Sequence, residues 1–293
     1  MNIKAFLRAI IDFLLFSNVF IGICAVAQAM VTYHLLRLDP DHHILAFLFL
    51  STIVIYNMSM LLSKPKDPLR SPFKRVRWIF SHHRLTVSIT LIAALALVPI
   101  GLFYLSFQGQ LIMGFTGLLA CAYNFPFLEL NNRKIGLRNI PGIKLFLIAL
   151  VWAVSAVLFP IIEAEHLHNI RIPVTETFLL TAKRFLFIAA ITVPFDIRDL
   201  FQDKLYELKT IPVMLGEKKA YYFCVGLLGL YLLLLLFFSK GINNDVIALT
   251  ACIVLTAWLI FRSRFKKNEY YYFLFLDGTM ILQFILLAAL SFI

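Results

Sequence analysis

The stretch "VPFDIRDLFQDK", residues 193–204, ends one of the most apolar segments of the chain with three acids, Asp196, Asp199 and Asp203. Their spacing is i, i+3, i+7, which puts them within an arc of roughly 60° on one face of a helix. Three carboxylates on one face repel one another unless a cation lies between them. Hard oxygen donors of this kind suit Mg²⁺, which takes one or two carboxylates and completes its shell with phosphate oxygens and water. The same arithmetic turns Arg198 to the opposite side, where it either holds the helix in place or reaches a substrate.

The elements that carry these acids follow from composition. The 293 residues are 61% hydrophobic and 15% charged, well above the apolar share of a soluble domain. The excess comes in blocks long enough to cross a bilayer, so the chain reads as a single all-α integral membrane domain, 1–293, rather than a soluble or barrel protein. Nine windows qualify: about 9–32, 44–63, 85–107, 110–127, 143–162, 174–195, 219–239, 245–262 and 270–292. The net charge of +11 is organised by this topology and does not point to nucleic acid. With a cytosolic N-terminus, 22 of the 27 basic residues fall on the inner side and 3 on the outer side. That bias is the positive-inside signature of nine alternating spans in the cell (inner) membrane.

Lys183 and Arg184 interrupt the sixth window, yet the remaining run is too short to cross, so the helix must include both. Lys183 is expected to snorkel outward; Arg184 either snorkels or faces the bundle interior. The sixth helix then runs from outside to inside and sets Asp196 at its cytosolic end. Cys24, Cys121, Cys224 and Cys252 are scattered singly, and no histidine pair has zinc-ligand spacing.

The segment "DIRDLFQDKLYELKTIPVMLGEKKA" (196–220) resembles the second Asp-rich motif, and its tail, of the UbiA superfamily of intramembrane prenyltransferases. "AYNFPF" (122–127) resembles the tyrosine-containing end of that family's fourth helix, and "GLRNIPGIKLFLIALVWA" (136–153) the start of its fifth. The resemblance covers nearly the whole chain. It implies a nine-helix UbiA-like bundle with a cytosolic-facing site. It implies Mg²⁺ as cofactor, held by Asp196, Asp199 and Asp203, and a prenyl diphosphate and a lipophilic acceptor as partners. Asp199, Asp203 and Tyr123 are the implied catalytic residues. Asn57, Lys144, Arg198 and Lys209 are candidates for substrate contact.

One motif departs from the family. The first Asp-rich motif, NDxxDxxxD, corresponds here to "NMSMLLSKP", residues 57–65, where Asn57 remains but Met58, Leu61 and Pro65 replace the acids. Such side chains cannot ligate Mg²⁺. Lys64, Lys66 or Lys74 are candidates to meet phosphate in place of a metal. Two functions stay open. One is a prenyltransferase with a single acid cluster; the other is an inactive relative that binds an isoprenoid, a quinone or a partner protein. The absence of a two-fold internal repeat argues against a transporter.

Overall fold

The computed structural model describes residues 3–124, 128–130, 133–135, 140, 142–205, 208–239, 241–266 and 268–291. Residues 125–127 and 292, at the ends of the fourth and ninth windows, lie outside that set. So do 136–139 and 141 of the "GLRNIPG" stretch, and 206–207 in the tail of the aspartate segment.

In lipid a backbone must satisfy its own polar groups, and this chain does so by forming helices. Among the described residues, eight helices are long and apolar enough to cross a membrane. They are α2 (Val19–Leu36), α3 (His42–Leu62), α5 (His83–Phe103), the composite helix Ile143–His168, α9 (Val174–Arg198), α12 (Glu217–Phe237), α13 (Asn244–Ser263) and the composite helix Tyr271–Ser291. The composite helices contain π-helical turns, Val154–Leu158 between α7 (Ile143–Ala153) and α8 (Phe159–His168), and Tyr271–Leu276 before α14 (Gly278–Ser291). The fourth expected window coincides with an 18-residue helix, α6 (Phe107–Asn124), which is not among the eight. A two-stranded antiparallel ribbon pairs Leu128–Leu130 with Arg133–Ile135, placing Leu128 opposite Ile135.

The first window differs from expectation. It is two helices, α1 (Ile3–Phe16) and α2, separated where Asn18 takes a left-handed conformation (φ 67°). Leu15 and Phe16 are buried, while Ile3, Phe6, Leu7 and Ile10 are exposed. The sixth helix does include Lys183 and Arg184.

Helix α9 is central. It packs on α7, α12 and α13, and its fully buried Phe187, Ala190 and Val193 join the main core with residues of α2, α12, α13 and α14. Helix α5 lies outermost, with Leu91, Ile92, Leu95, Val98 and Leu102 exposed, as a lipid-facing surface requires. At the opposite side from the aspartates, buried Glu163 accepts the Ser106 amide (3.1 Å) and hydroxyl (3.1 Å), tying the start of α6 to α8. Gly109 lies so close to Glu163 that a β-carbon there would collide with its carboxylate.

Candidate active site

The aspartates are set by the way α9 ends. Pro194 lies inside its last turns and contributes no amide hydrogen bond. The helix closes at Arg198, and Asp199 follows with φ −91° and ψ 7°, its amide bonded to the Phe195 carbonyl at 3.0 Å. A short helix, α10 (Leu200–Leu205), continues at once, with the Asp203 amide 2.9 Å from the Asp199 carbonyl. The i, i+7 relation therefore survives the break. Asp196 and Asp203, both buried, come together on Lys144 from the first turn of α7. Its Nζ is 2.6 Å from Asp196 Oδ1 and 3.8 Å from Asp203 Oδ2. Burial lifts the Asp203 carboxyl above its ordinary value, and the Lys144 charge pulls it back.

Asp199 is turned elsewhere. Arg198 grips it with a two-point fork, Nε to Oδ1 at 2.8 Å and Nη2 to Oδ2 at 2.9 Å. The two residues are adjacent in sequence, so the fork bends back across the helix end. Arg198 is therefore not pointed away from the site, as helical arithmetic alone suggests.

Beside these groups lies a cavity of about 240 Å³. Lys144, Asp196, Arg198 and Asp199 line it, together with three polar residues that sequence reasoning missed: Asn18, Arg75 and Asp277. Arg75 comes from α4 (Lys74–Ser81), a short helix in the basic connection after α3. Burial lowers its guanidinium from the ordinary value, while the charges of Asp277 and Glu269 work against that shift. Asp277 directly follows the π-turn, its amide bonded to the Tyr272 carbonyl five residues back at 3.1 Å. A lone acid inside an apolar window was the available signal for Asp277, because such residues are functional by default. Arg75 gave no signal, because it stands in a run of charges that topology explains.

The other expected residues fall around the cavity. Asn57 is fully buried and off its wall, accepting a 2.6 Å hydrogen bond from Asn18 Nδ2. Asn18 Oδ1 in turn accepts from Arg75 Nη2. Tyr123 lines a neighbouring apolar cavity of about 170 Å³, and a further apolar cavity of about 250 Å³ reaches toward Phe47, Leu97 and Met113. Tyr56 and Trp152 line all three. Lys209 has an exposed side chain, and its carbonyl accepts the amide of Gly142, whose positive φ (72°) forms the turn before Lys144. Lys64 lies over the Phe80 ring and Lys74 over the Tyr270 ring; neither they nor Lys66 line the cavity.

The donor set fits one Mg²⁺ better than two. Among the described residues, no three His, Cys, Asp or Glu side chains gather closely enough to hold a metal. Asp196 Oδ2 and Asp203 Oδ2 are nonetheless buried without a hydrogen-bond partner. Mg²⁺ commonly takes one or two carboxylates from a protein. Here it would compete with the Lys144 ammonium, which lies 2.6 Å from Asp196 Oδ1 and 3.8 Å from Asp203 Oδ2; of the two acids only Asp196 lines the cavity. At the first-motif position there is nothing comparable: Asn57 is committed to Asn18, and Met58 is exposed.

The fold and site define a class: a helical membrane bundle with a charged cavity that shares Tyr56 and Trp152 as walls with two apolar ones. The UbiA prenyltransferase family model matches residues 25–272, and the chain belongs to that family. Solved structures agree in fold. An apo UbiA homologue from Aeropyrum pernix K1 is 14% identical with a TM-score of 0.64, over 94% of this chain and 98% of that one. A UbiA homologue from Archaeoglobus fulgidus, bound to GPP and Mg²⁺, is 14% identical with a TM-score of 0.60, over 96% and 100%. A digeranylgeranylglyceryl phosphate synthase is 14% identical with a TM-score of 0.54, over 97% and 99%. No curated protein sequence matches the chain.

Proposed function

We propose that the chain is a prenyltransferase that moves an isoprenoid from a prenyl diphosphate to an aromatic or other lipophilic acceptor. Its cavity would face the cytosol, with nine spans in the cell membrane and the N-terminus inside. One observation carries the reading: a cavity lined by three cations and three carboxylates adjoins two apolar cavities through Tyr56 and Trp152. A molecule with an anionic head and a greasy tail matches that division.

In this reading Lys144, Arg75 and Arg198 receive the diphosphate, and the tail lies along Tyr56 and Trp152. Mg²⁺, held by Asp196 and Asp203, would supply Lewis-acid charge to the leaving group. The C1–O bond breaks and its electron pair leaves with the diphosphate. Tyr56, Trp152, Phe195 and Phe273 line the cavity where the allylic cation develops, and aromatic faces stabilise such a cation. The acceptor's electron pair forms the new bond to C1, and the acceptor then loses a proton. Lys144 offsets the charge of Asp196 and Asp203, and Tyr123 borders the tail.

The test is product formation from a labelled prenyl diphosphate and a panel of phenolic acceptors, using purified protein in nanodiscs. Mg²⁺-dependent product that disappears in Asp196→Asn supports the reading. Turnover no higher than that of Asp196→Asn overturns it. The apolar first motif favours a second reading, an inactive relative that binds an isoprenoid. In that case a prenyl diphosphate raises the melting temperature by linkage while turnover stays at background.

A further inference from the structure

We propose that two guanidinium groups, Arg75 and Arg198, stand in for the missing first acid-and-metal cluster and grip a diphosphate directly. This rests on the prenyltransferase reading above and names the groups that replace what "NMSMLLSKP" lacks.

Each arginine is held in place by neighbouring side chains. Arg75 Nη2 donates to Asn18, which also holds Asn57, so the surviving asparagine of the degraded motif now supports an arginine. Glu269 accepts the amides of Lys74 (2.6 Å) and Arg75 (3.1 Å), pinning the start of α4. Arg198 is held by its fork on Asp199. The Phe273 ring lies 5.1 Å from one guanidinium and 5.5 Å from the other. After these contacts Arg75 Nε and Arg198 Nη1 remain buried without a partner, and both residues line the cavity.

Arg198 is already paired with Asp199. Among the described residues, however, no carboxylate lies within 4.0 Å of the Arg75 guanidinium, and its buried charge is costly unless an anion joins it. Asp277 lines the same cavity, but no ion pair within 4.0 Å joins it to either arginine among the described residues. A diphosphate supplies several acceptor oxygens, and a guanidinium meets phosphate with a planar fork that a lysine cannot offer. The adjoining apolar cavities, about 170 and 250 Å³, offer room for an apolar tail attached to that head.

The experiment measures binding of inorganic pyrophosphate to the full chain in neutral-lipid nanodiscs with excess chelator, by calorimetry and thermal shift. Wild type is expected to bind without metal, and Arg75→Met to weaken binding by about ten- to a hundredfold. Arg75→Lys should restore only part of the affinity. Should Arg75→Met fold poorly, Asn18→Gly keeps the left-handed backbone, removes only the support, and is expected to weaken binding about threefold. Wild type that binds pyrophosphate only with Mg²⁺ overturns the proposal, as does Arg75→Lys or Arg75→Met with unchanged affinity. A response to phosphatidic acid in the disc but not to pyrophosphate also overturns it. Product formation is read separately: turnover with metal-free affinity unaffected by Arg75 sinks this inference and leaves the prenyltransferase reading standing. Arg75-dependent pyrophosphate binding without turnover does the reverse.

Discussion

Lys144 carries the most electrostatic responsibility of any single residue. It faces two buried carboxylates, and removing it leaves Asp196 in the bundle without its closest charge partner. Breaking a buried pair from one side costs about 3 kcal/mol or more. Lys144→Met is therefore expected to destabilise the protein by about that amount, measured by denaturant unfolding in micelles. Adding Asp196→Asn to it should return part of the loss; a double variant no more stable than the single would count against the pairing. The aspartate pair was legible in the sequence because its members sit within one local run, where spacing alone fixes direction. Arg75 and Asp277 were not. They reach the cavity from separate helices 202 residues apart, and only tertiary packing brings them to it. The direction of Arg198 was misread for a local reason: its side chain folds back over the helix end onto Asp199, which a uniform 100° rotation does not anticipate.

Helix α9 is stitched to its neighbours by a polar group in its apolar stretch. Arg184 is 5% exposed and donates to Gln28 of α2, to Gln283 of α14 (3.2 Å) and to Thr32 of α2 (3.3 Å). It therefore faces the bundle interior, the second of the two options that the sequence left open. Arg184→Met leaves the amide oxygens of Gln28 and Gln283 without this donor, for an expected loss of about 2 kcal/mol. Pyrophosphate affinity should not change, because the cluster lies away from the cavity wall. A fall in that affinity equal to the Arg75→Met effect would mean that the two regions are one unit. The break between α1 and α2 gives a second test at this scale. Asn18→Ala and Asn18→Gly both lose the bonds to Asn57 and Arg75, but only alanine must be forced into the left-handed region. Alanine should be less stable than glycine by about 1 kcal/mol. Helix existence was readable because twenty apolar residues in a row have few other solutions. The break was hidden because one left-handed asparagine within an apolar run changes no composition signal.

The arrangement of the whole molecule in the membrane turns on α6. It is helical from Phe107 to Asn124 and anchored to α8 through Ser106 and Glu163, yet it is less apolar than the eight clear spans. The positive-inside alternation expected from the sequence holds only if it crosses. If it did not, every segment after it would change sides. The 17 basic residues from 133 onward that flank or follow would then alternate wrongly, with the runs at 198–219 and 262–267 placed outside. Single-cysteine labelling decides this in intact cells, on a background with exposed Cys121 replaced by serine. Gln108→Cys should react with a membrane-impermeant maleimide from outside, whereas Lys66→Cys and Lys218→Cys should react only after permeabilisation. Lys218→Cys is the informative member. Lys66 lies before α6 and reports the N-terminal half, while Lys218 lies after it and reports whether α6 has reversed the chain. Labelling of Lys218→Cys from outside alongside protected Lys66→Cys would remove α6 from the membrane. It would also place Lys74 and Glu269 on opposite sides of the bilayer, which the 2.6 Å hydrogen bond from the Lys74 amide to the Glu269 carboxylate forbids. That contact and the charge bias thus constrain the same helix from independent directions.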